Sequence, residues 1–246
     1  MINKSCGVVV LAAGKGSRLK SVDIPKVMRE IGGRPMVEYT VKTLKEVGFE
    51  AKQICLVVGF CKEKIIEHFG DNVGYAVQTE LKGTAHAAYT GMKSLPPEIK
   101  QVMVMGGDDS AFYKTETIKN LFELHQKNNC VLTLLTAMNE HPEQLGRIVR
   151  WPGGKIEIIE KEYLTDEQKK IKEISTGTFV FDRAWFEEVF PSMPPMRKLG
   201  EYGLPTALAM ARDSGKKFQV VLLDDPSEWC GVNTPEELIA ADNRKK

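Results

Sequence analysis

The stretch CGVVVLAAGKGSRL, residues 6–19, decides the fold of this chain. Its first part is continuously apolar and ends at Gly14, which is typical of a parallel strand buried on both faces. A polar loop with several glycines follows, and a helical pattern then runs from Pro35 to Gly48. A buried strand, a loop and a helix in this order predict the first βα unit of an open α/β sheet.

Further buried strands alternate with helices along the first half of the chain. The predicted elements are strands at residues 53–59, 74–77 and 102–105 and helices at residues 62–69 and 84–92. This alternation predicts a doubly wound, mainly parallel sheet with helices on both faces. Ligands bind beyond the carboxyl ends of such strands. Because Gly14 and Asp108 both follow strand ends, we expect them to share one site.

The second half of the chain has a different pattern. Residues 147–151 and 155–160 alternate polar and apolar side chains around the turn PGG at 152–154, which predicts a β-hairpin. Further predicted elements are strands at residues 131–137 and 176–181 and helices at residues 201–212 and 235–241. We interpret residues 1–246 as a single domain, in which the second half extends the sheet of the first and carries the hairpin as a lid.

Composition excludes several classes of partner. Apolar residues make up 42% and charged residues 27% of the 246 positions, the balance of an ordinary globular domain. The formal net charge of +1 offers no basic excess, so we expect neither a nucleic acid nor an anionic membrane as partner. No apolar run approaches the roughly 18 residues that span a bilayer. The basic end, residues 243–246, is interpreted as a solvated tail.

The cysteines and the first residues of the chain indicate a reducing compartment. The five cysteines are odd in number, and no two of them have CxxC spacing. This usage argues against a disulfide framework and against a zinc site. The N-terminal residues show no signal-peptide pattern. We therefore expect a cytoplasmic protein with reduced thiols.

The strongest chemical signal is the glycine-bearing loop together with Arg18 and Lys26. Glycines after a buried strand let backbone N–H groups turn toward an anion. The two cations suit a triphosphate, whose charge must be offset when its α–β bond breaks. A dinucleotide fingerprint would need a third glycine where Leu19 stands, and the chain lacks a P-loop sequence. The loop therefore favours a nucleoside triphosphate and disfavours a dinucleotide-dependent oxidoreductase.

The segment LAAGKGSRL at 11–19, followed by Pro25-Lys26, resembles the signature of the sugar-phosphate nucleotidyltransferase family. Within that family the chain is similar to the uridylyltransferase domain of bacterial N-acetylglucosamine-1-phosphate uridylyltransferases. The similarity continues in order through QTELKGTAH at 78–86, GGD at 106–108, GRI at 146–148, IIEK at 158–161, IKEISTG at 171–177 and GVN at 231–233. The resemblance implies a Rossmann-like nucleotidyltransferase fold. It also implies a nucleotide-binding half, about residues 1–130, and a sugar-phosphate-binding half, about residues 131–246.

The resemblance further implies roles for individual residues. Arg18, Lys26 and Asp108 match catalytic positions, and Asp108 and Asn233 match the positions that bind Mg²⁺, a hard cation that prefers oxygen ligands. The nucleotide-binding positions correspond to Leu11, Ala12, Ala13, Gly14, Gly16, Ser17, Gln78, Gly83 and Thr84. The sugar-binding positions correspond to Gly146, Glu160 and Ser175.

Several of these residues also have simpler structural interpretations. Asp108 and Asn233 could cap the helices that follow them, and Thr84 could cap its own helix. His86 lies within that helix and is interpreted as structural. Asp109 is an acid that the family pattern does not require, and it could cap a turn or lie behind the metal ligands.

The resemblance implies a Mg²⁺-dependent reaction of UTP with a sugar 1-phosphate to give a UDP-sugar and pyrophosphate, and N-acetylglucosamine 1-phosphate is the first candidate acceptor. Ser175 stands where the similar proteins carry asparagine, which predicts a looser choice of sugar. Those proteins often also carry a β-helix acetyltransferase, and we expect no such activity from this chain. A cytidylyl- or thymidylyltransferase stays open, as does a regulatory protein that binds a nucleotide sugar without turnover. The combination of leaving-group and metal residues argues against the regulatory protein.

Overall fold

The computed structural model describes residues 3–19, 23–196 and 200–246, and a nine-stranded mixed sheet lies at the centre of that part of the chain. The strands are β1 (Cys6–Ala12), β2 (Glu30–Ile31), β3 (Arg34–Pro35), β4 (Ile54–Val58), β5 (Gly74–Val77), β6 (Gln101–Gly106), β7 (Leu132–Met138), β8 (Arg147–Arg150), β9 (Ile156–Ile159), β10 (Glu173–Asp182) and β11 (Phe218–Leu222). The strands β2 and β3 pair only with each other, as a separate two-stranded sheet.

Eight α-helices are present within the same residues. They are α1 (Met36–Val47), α2 (Lys62–Phe69), α3 (Thr84–Ser94), α4 (Thr115–Asn128), α5 (Asp166–Lys169), α6 (Arg183–Val189), α7 (Leu204–Asp213) and α8 (Pro235–Lys245). None of the helices in the described ranges is both long enough and apolar enough to cross a membrane.

The strand order confirms the predicted doubly wound, mainly parallel sheet. The main sheet runs β11-β7-β10-β6-β1-β4-β5. The pairs β1·β4, β1·β6, β4·β5 and β11·β7 are parallel, whereas β10 lies antiparallel between β6 and β7. The second half of the chain therefore enters the sheet of the first half directly beside β6, the strand that leads to Asp108.

The packing of alternate residues in β1 explains why Cys6–Ala12 forms a buried strand. Val8 and Val10 pack on one face of the sheet, in a core that includes Leu44 of α1 and Phe122 of α4. Val9 points to the other face, in a core formed with α3, α6 and α7. A strand covered on both faces has no place for polar side chains, which is why its sequence is uniformly apolar.

The predicted hairpin is confirmed as β8 and β9. Its strands pair from Arg147 opposite Ile159 to Arg150 opposite Ile156. The hairpin joins the main sheet where Arg147 pairs with Ile174 of β10. Its role as a lid over a substrate stays a prediction.

The structure differs from the sequence-based prediction in several boundaries and in two elements that were not predicted. The helix predicted from residue 201 begins at Leu204, because Gly203 has an extended backbone at the N-cap and Pro205 favours the first turn. The strand predicted from residue 176 begins at Glu173, where it pairs with β7. The elements α4 and β11 were not predicted, although α4 buries an apolar face that includes Ile118 and Phe122.

The interpretation of the basic C-terminal end as a solvated tail is wrong. The helix α8 continues to Lys245, whose ammonium group donates to the carbonyl of Ala111 at 2.9 Å. The same group lies 4.2 Å from the ring centroids of Tyr39 and Phe112. Cation–π contacts of this kind stabilise a lysine that is partly removed from water. A prediction based on charge alone therefore failed here, because the ammonium group of Lys245 packs against other parts of the chain.

The buried histidine of α4 makes the stability of the fold depend on pH. His125 is 1% exposed, its Nδ1 lies 2.8 Å from the hydroxyl of Thr133, and its Nε2 has no hydrogen-bond partner among the described residues. Burial lowers the pKa of His125 to about 4, against a weaker opposing effect of Asp182. An unfolded histidine titrates near pH 6.5, so below that pH the unfolded chain binds the additional proton.

We expect His125 to make unfolding easier as the pH falls from about 6.5 toward 4, by on the order of 1–3 kcal/mol. Urea unfolding at several pH values within this range measures the effect. The His125→Gln variant should lose this part of the pH dependence, whereas His141→Gln, a change at an exposed histidine, should retain it. Parallel stability–pH curves for wild type and His125→Gln would contradict the assignment.

Candidate active site

A cavity of about 540 Å³ opens beyond the carboxyl ends of β1 and β6. This volume is in the range of small-molecule binding sites. The prediction that Gly14 and Asp108 share one site is confirmed, because both line this cavity. The predicted site residues that line it are Leu11, Ala13, Gly14, Gln78, Gly83, Thr84, Asp108, Gly146, Glu160, Ser175 and Asn233.

The remaining predicted residues lie outside the cavity wall. Ala12 is 1% exposed, and its side chain packs in the core, so only its backbone is available to a ligand. Ser17 and Arg18 are exposed in a short 3₁₀ turn after the glycine loop. Gly16 has φ +65°, and a Cβ there would lie 2.7 Å from the Cβ of Lys26, so this close approach requires a glycine. Part of the predicted loop, residues 20–22, lies outside the described residues.

Four predicted polar residues converge at one point of the site. The ammonium group of Lys26 forms an ion pair with Asp108 Oδ2 and donates to Asn233 Oδ1 at 2.8 Å. Arg18 Nη2 donates to the same Asn233 oxygen at 3.0 Å. Residues 18, 26, 108 and 233 therefore meet, although they are far apart in the sequence.

Backbone hydrogen bonds bring Asn233 to this point. The N–H of Cys230 donates to the carbonyl of Asp109 at 3.3 Å, and that of Val232 donates to the carbonyl of Asp108 at 3.1 Å. Glu237 accepts from the N–H of Asn233 at 2.6 Å and from that of Thr234 at 2.9 Å. These contacts align the chain before α8 with the end of β6.

The alternative that Asn233 caps a helix is wrong. Thr234 is the N-cap of α8, and its hydroxyl accepts from the N–H of Glu237 within a capping box. The side chain of Asn233 contacts Lys26 and Arg18 instead. Its amide oxygen is thereby directed toward the cations of the site.

The donor set at this point fits a hard divalent cation. A carboxylate oxygen of Asp108 and an amide oxygen of Asn233 both contact the Lys26 ammonium, so they already converge on one positive charge. Among the described residues there is no cluster of three or more Asp, Glu, His or Cys side chains that could hold a metal alone. Mg²⁺ commonly takes one or two protein oxygens and completes its shell with water and substrate phosphates. Asp108 and Asn233 are suited to that arrangement.

Asp109 is the most unusual side chain of the site. It lines the cavity beside Asp108, and its Oδ1 is shielded from solvent with no hydrogen-bond partner among the described residues. Burial and the neighbouring Asp108 carboxylate raise the pKa of Asp109 well above its usual range. A buried polar atom without a partner costs free energy, so this side chain calls for an explanation beyond packing.

Gln78 is held in one orientation by two neighbours. Its Nε2 donates to the carbonyl of Gly83 at 3.3 Å and lies 3.0 Å from His86 Nδ1. A carbonyl can only accept, which directs the amide nitrogen toward Gly83 and leaves the amide oxygen available. Burial and then Lys82 lower the pKa of His86, which favours the neutral ring that can accept from Gln78. The structural interpretation of His86 is therefore refined, because this residue orients a cavity side chain.

Thr84 connects the two halves of the chain. Its hydroxyl accepts from the N–H of Leu204 at 3.1 Å, so it contributes to the start of α7 and does not cap its own helix. Gly83 has φ +101°, and a Cβ there would lie 2.5 Å from the carbonyl of Tyr202. This close approach holds the segment before α7 against the start of α3.

The opposite wall of the cavity is formed by the second half of the chain. Burial raises the pKa of Glu160, and the nearby Glu162 adds to this effect. A Cβ at Gly146 would lie 3.2 Å from Glu160 Oε2, so the glycine allows this carboxyl to approach the chain closely. The hydroxyl of Ser175 accepts from the N–H of Gly177 at 3.3 Å, next to a register shift in β10.

Sequence reasoning missed several residues of the cavity wall. Two large apolar side chains, those of Leu81 and Trp229, line the cavity. Leu81 is 47% exposed, and Trp229 is partly exposed. Gly106 and Gly177 line it without side chains. The position of Trp229, two residues before the GVN motif, could have indicated it as a site residue, but no local pattern indicates which glycines face a ligand.

Comparison with known proteins shows relatives along nearly the whole chain. Residues 8–187 match the family described as the MobA-like NTP transferase domain. The bifunctional protein GlmU of Heliobacterium modesticaldum is 37% identical over 235 residues, which are 95% of this chain and 50% of that protein. The GlmU of Symbiobacterium thermophilum is 38% identical over 239 residues, which are 96% of this chain and 50% of that protein. The chain spans about half the length of these curated relatives.

A solved structure supports the fold independently. It is a Bacillus anthracis protein in complex with a sucrose, assigned by its name as a glucose-1-phosphate thymidylyltransferase. The two chains superpose with a TM-score of 0.80 over 98% of this chain and 95% of that one, at 20% sequence identity. At this identity the likeness shows the shared fold.

Proposed function

The chain belongs to the MobA-like NTP transferase domain family, and from this premise we propose that it joins UTP to a sugar 1-phosphate, with release of pyrophosphate. N-acetylglucosamine 1-phosphate is the first candidate acceptor, because the motifs at residues 11–26, 78–86 and 231–233 resemble those of N-acetylglucosamine-1-phosphate uridylyltransferases. In this proposal about residues 1–130 bind the nucleotide and about residues 131–246 bind the acceptor. The free cysteines are consistent with a reaction in the cytoplasm.

The convergence of Lys26, Asp108 and Asn233 at the mouth of the cavity carries this proposal. A protein that only bound a nucleotide sugar would have no need to assemble a cation and two oxygen ligands at one point. A transferase does need them, because negative charge accumulates on the reacting phosphates in the transition state. The geometry therefore favours turnover over passive binding.

The chemistry assigned to the chain is alignment and charge stabilisation. The acceptor phosphate is already anionic near neutral pH, so no general base is required. Lys26 would hold the two phosphates in line, and Arg18 with the backbone of residues 14–17 would stabilise the departing pyrophosphate. Asp108 and Asn233 would hold Mg²⁺, which neutralises phosphate charge when bound.

The orientation of Gln78 supports a uracil or thymine base over cytosine. Its amide nitrogen is engaged by Gly83 and His86, so the available amide oxygen accepts a hydrogen bond. Uracil and thymine carry an N–H at position 3, whereas cytosine carries an acceptor there. The available amide oxygen therefore matches position 3 of the base in UTP and dTTP and does not match position 3 of cytosine.

A screen for pyrophosphate release tests the proposal. Four nucleoside triphosphates are combined with a dozen sugar 1-phosphates, with and without Mg²⁺. We expect Mg²⁺-dependent release with UTP, and the Asp108→Asn variant serves as the inactive control. Binding of a UDP-sugar with no release from any combination would favour a regulatory protein. Preferential use of CTP would contradict the assignment of the base N3–H as the partner of Gln78.

The identity of residue 175 is expected to influence the choice of sugar. If Ser175 contacts the acceptor, its short hydroxyl cannot replace the amide of the asparagine found in similar proteins. Ser175→Asn should raise the kcat/KM ratio of N-acetylglucosamine 1-phosphate to glucose 1-phosphate by about fivefold or more. Steady-state kinetics with both sugars measure the ratio, and Ser192→Asn at an exposed turn is the matched control. A ratio that changes by less than about twofold would remove residue 175 from specificity.

A further inference from the structure

The carboxyl group of Asp109 is a cavity group to which the proposed mechanism gives no task. It lines the cavity, and its Oδ1 has no hydrogen-bond partner among the described residues. The neighbouring Asp108, in contrast, already forms an ion pair with Lys26. A buried oxygen that accepts no hydrogen bond is costly, and such costs are commonly retained at functional sites.

Two glycines make space for this carboxyl group at the cavity wall. A Cβ at Gly106 would lie 2.8 and 2.9 Å from the two carboxyl oxygens of Asp109. Gly177 has φ +75°, and a Cβ there would lie 3.6 Å from Asp109 Oδ2. Both glycines line the same cavity. The absence of side chains at these positions lets the carboxyl group lie against the ends of two strands at the cavity wall, where rotation about Cβ–Cγ can present either oxygen to a ligand substituent.

The strand order places Asp109 on the acceptor side of the cavity. Asp109 follows β6, whose neighbour in the sheet is β10, the strand that carries Ser175 and Gly177. The nucleotide-side residues Gln78 and Thr84 follow β5, three strands away from β6 in the order β6-β1-β4-β5. The carboxyl group is therefore placed to meet the acceptor and not the base.

We propose that Asp109 determines acceptor specificity by accepting a hydrogen bond from a hydroxyl or ammonium substituent of the sugar 1-phosphate. This inference rests on the proposed function and adds to it the class of acceptor. The Oδ1 atom of Asp109 receives no hydrogen bond from the described residues, and a hydroxyl or ammonium substituent can supply that donor. An acceptor with an apolar group at the same position leaves the carboxyl without a partner and is disfavoured.

The test combines substitutions at Asp109 with single deletions of sugar substituents. Wild type, Asp109→Ala and Asp109→Asn are assayed with UTP and glucose 1-phosphate, its 2-, 3-, 4- and 6-deoxy derivatives, and glucosamine 1-phosphate. Asp109→Ala should lower kcat/KM for glucose 1-phosphate by about five- to 150-fold. With one deoxy sugar the same variant should differ from wild type by less than about twofold, since that sugar lacks the donor. The amine substrate distinguishes an ammonium partner from a hydroxyl partner.

Two further measurements separate this role from support of the metal ligand. Direct titration of Mn²⁺ and of UTP should give the same affinities for wild type and Asp109→Ala. Asp109→Asn retains an acceptor oxygen and should keep more activity than Asp109→Ala. If the alanine variant does not fold, Asp109→Asn is used to compare kcat/KM across the sugars. Equal losses of kcat/KM on every sugar, or weaker Mn²⁺ binding, would mean that Asp109 only supports Asp108. Either result would overturn the inference. If wild type uses no sugar 1-phosphate at all, the proposed function fails and the inference fails with it.

Discussion

Turnover of the Asp108→Ala variant is expected to fall by at least about a hundredfold, the loss that follows removal of a principal electrostatic stabiliser. Asp108 lies just beyond β6, where its carboxylate contacts Lys26 and faces the cavity. Removal of the carboxylate deletes one of the two oxygens suited to Mg²⁺ and leaves Lys26 without its anionic partner. Asp108→Asn keeps the shape and removes the charge, so it should lose activity to a similar extent.

The loss should arise in the site and not in the fold. Asp108 lies at a strand end and its side chain is 27% exposed, so thermal unfolding of both variants should remain close to that of wild type. Asp71→Ala is a suitable control, because Asp71 is exposed and precedes β5 at the opposite edge of the sheet. Near-normal pyrophosphate release by a folded Asp108→Ala protein would remove this residue from the mechanism.

Much of the fold could be predicted because its signals are local. The apolar run of β1 is continuous since both faces of the strand are covered, and Gly48 ends α1 in a left-handed conformation that favours glycine. The hairpin β8–β9 follows from alternation and a turn sequence. These patterns depend on neighbours within a few residues, which a sequence displays directly.

Other positions were harder to predict, because tertiary contacts override local patterns there. Thr84 has a good capping side chain, but Leu204 from another segment takes its hydroxyl. The end of α8 is strongly basic, yet Lys245 packs on two aromatic rings from distant parts of the chain. Composition cannot report which distant partner a polar group will find.

The site shows the same division. The loop from Gly14, together with Asp108, could be placed at one edge because parallel strands end together. The contact between Asn233 and Lys26 depends on the backbone pairing of residues 230–232 with residues 108–109, which no sequence pattern displays. The position of the Asp109 carboxyl group depends on two glycines from separate strands, Gly106 and Gly177. Motifs therefore identified eleven of the residues that line the cavity. The electrostatic arrangement required the structure.

Lys26→Met is expected to have two effects of opposite direction. The ammonium group contacts Asp108 and Asn233, the same oxygens that are suited to a divalent cation. If Lys26 aligns the reacting phosphates, its removal should lower kcat by about 10²- to 10³-fold. In the protein without substrate, however, the ammonium competes for those oxygens, so the variant should bind Mn²⁺ several-fold more tightly than wild type does.

Pyrophosphate release measures the first effect, and electron paramagnetic resonance titration of Mn²⁺ without nucleotide measures the second. Lys4→Gln is the control, because Lys4 is an exposed lysine before β1 at the edge of the sheet away from the site. The two readouts fail independently. Turnover near that of wild type would exclude Lys26 from the reaction, whereas weaker Mn²⁺ binding would mean that Lys26 holds Asp108 and Asn233 in place and does not compete for them. The expected combination is loss of turnover together with tighter Mn²⁺ binding. It would mean that Lys26 occupies the cation position before substrate arrives and contacts phosphate afterwards.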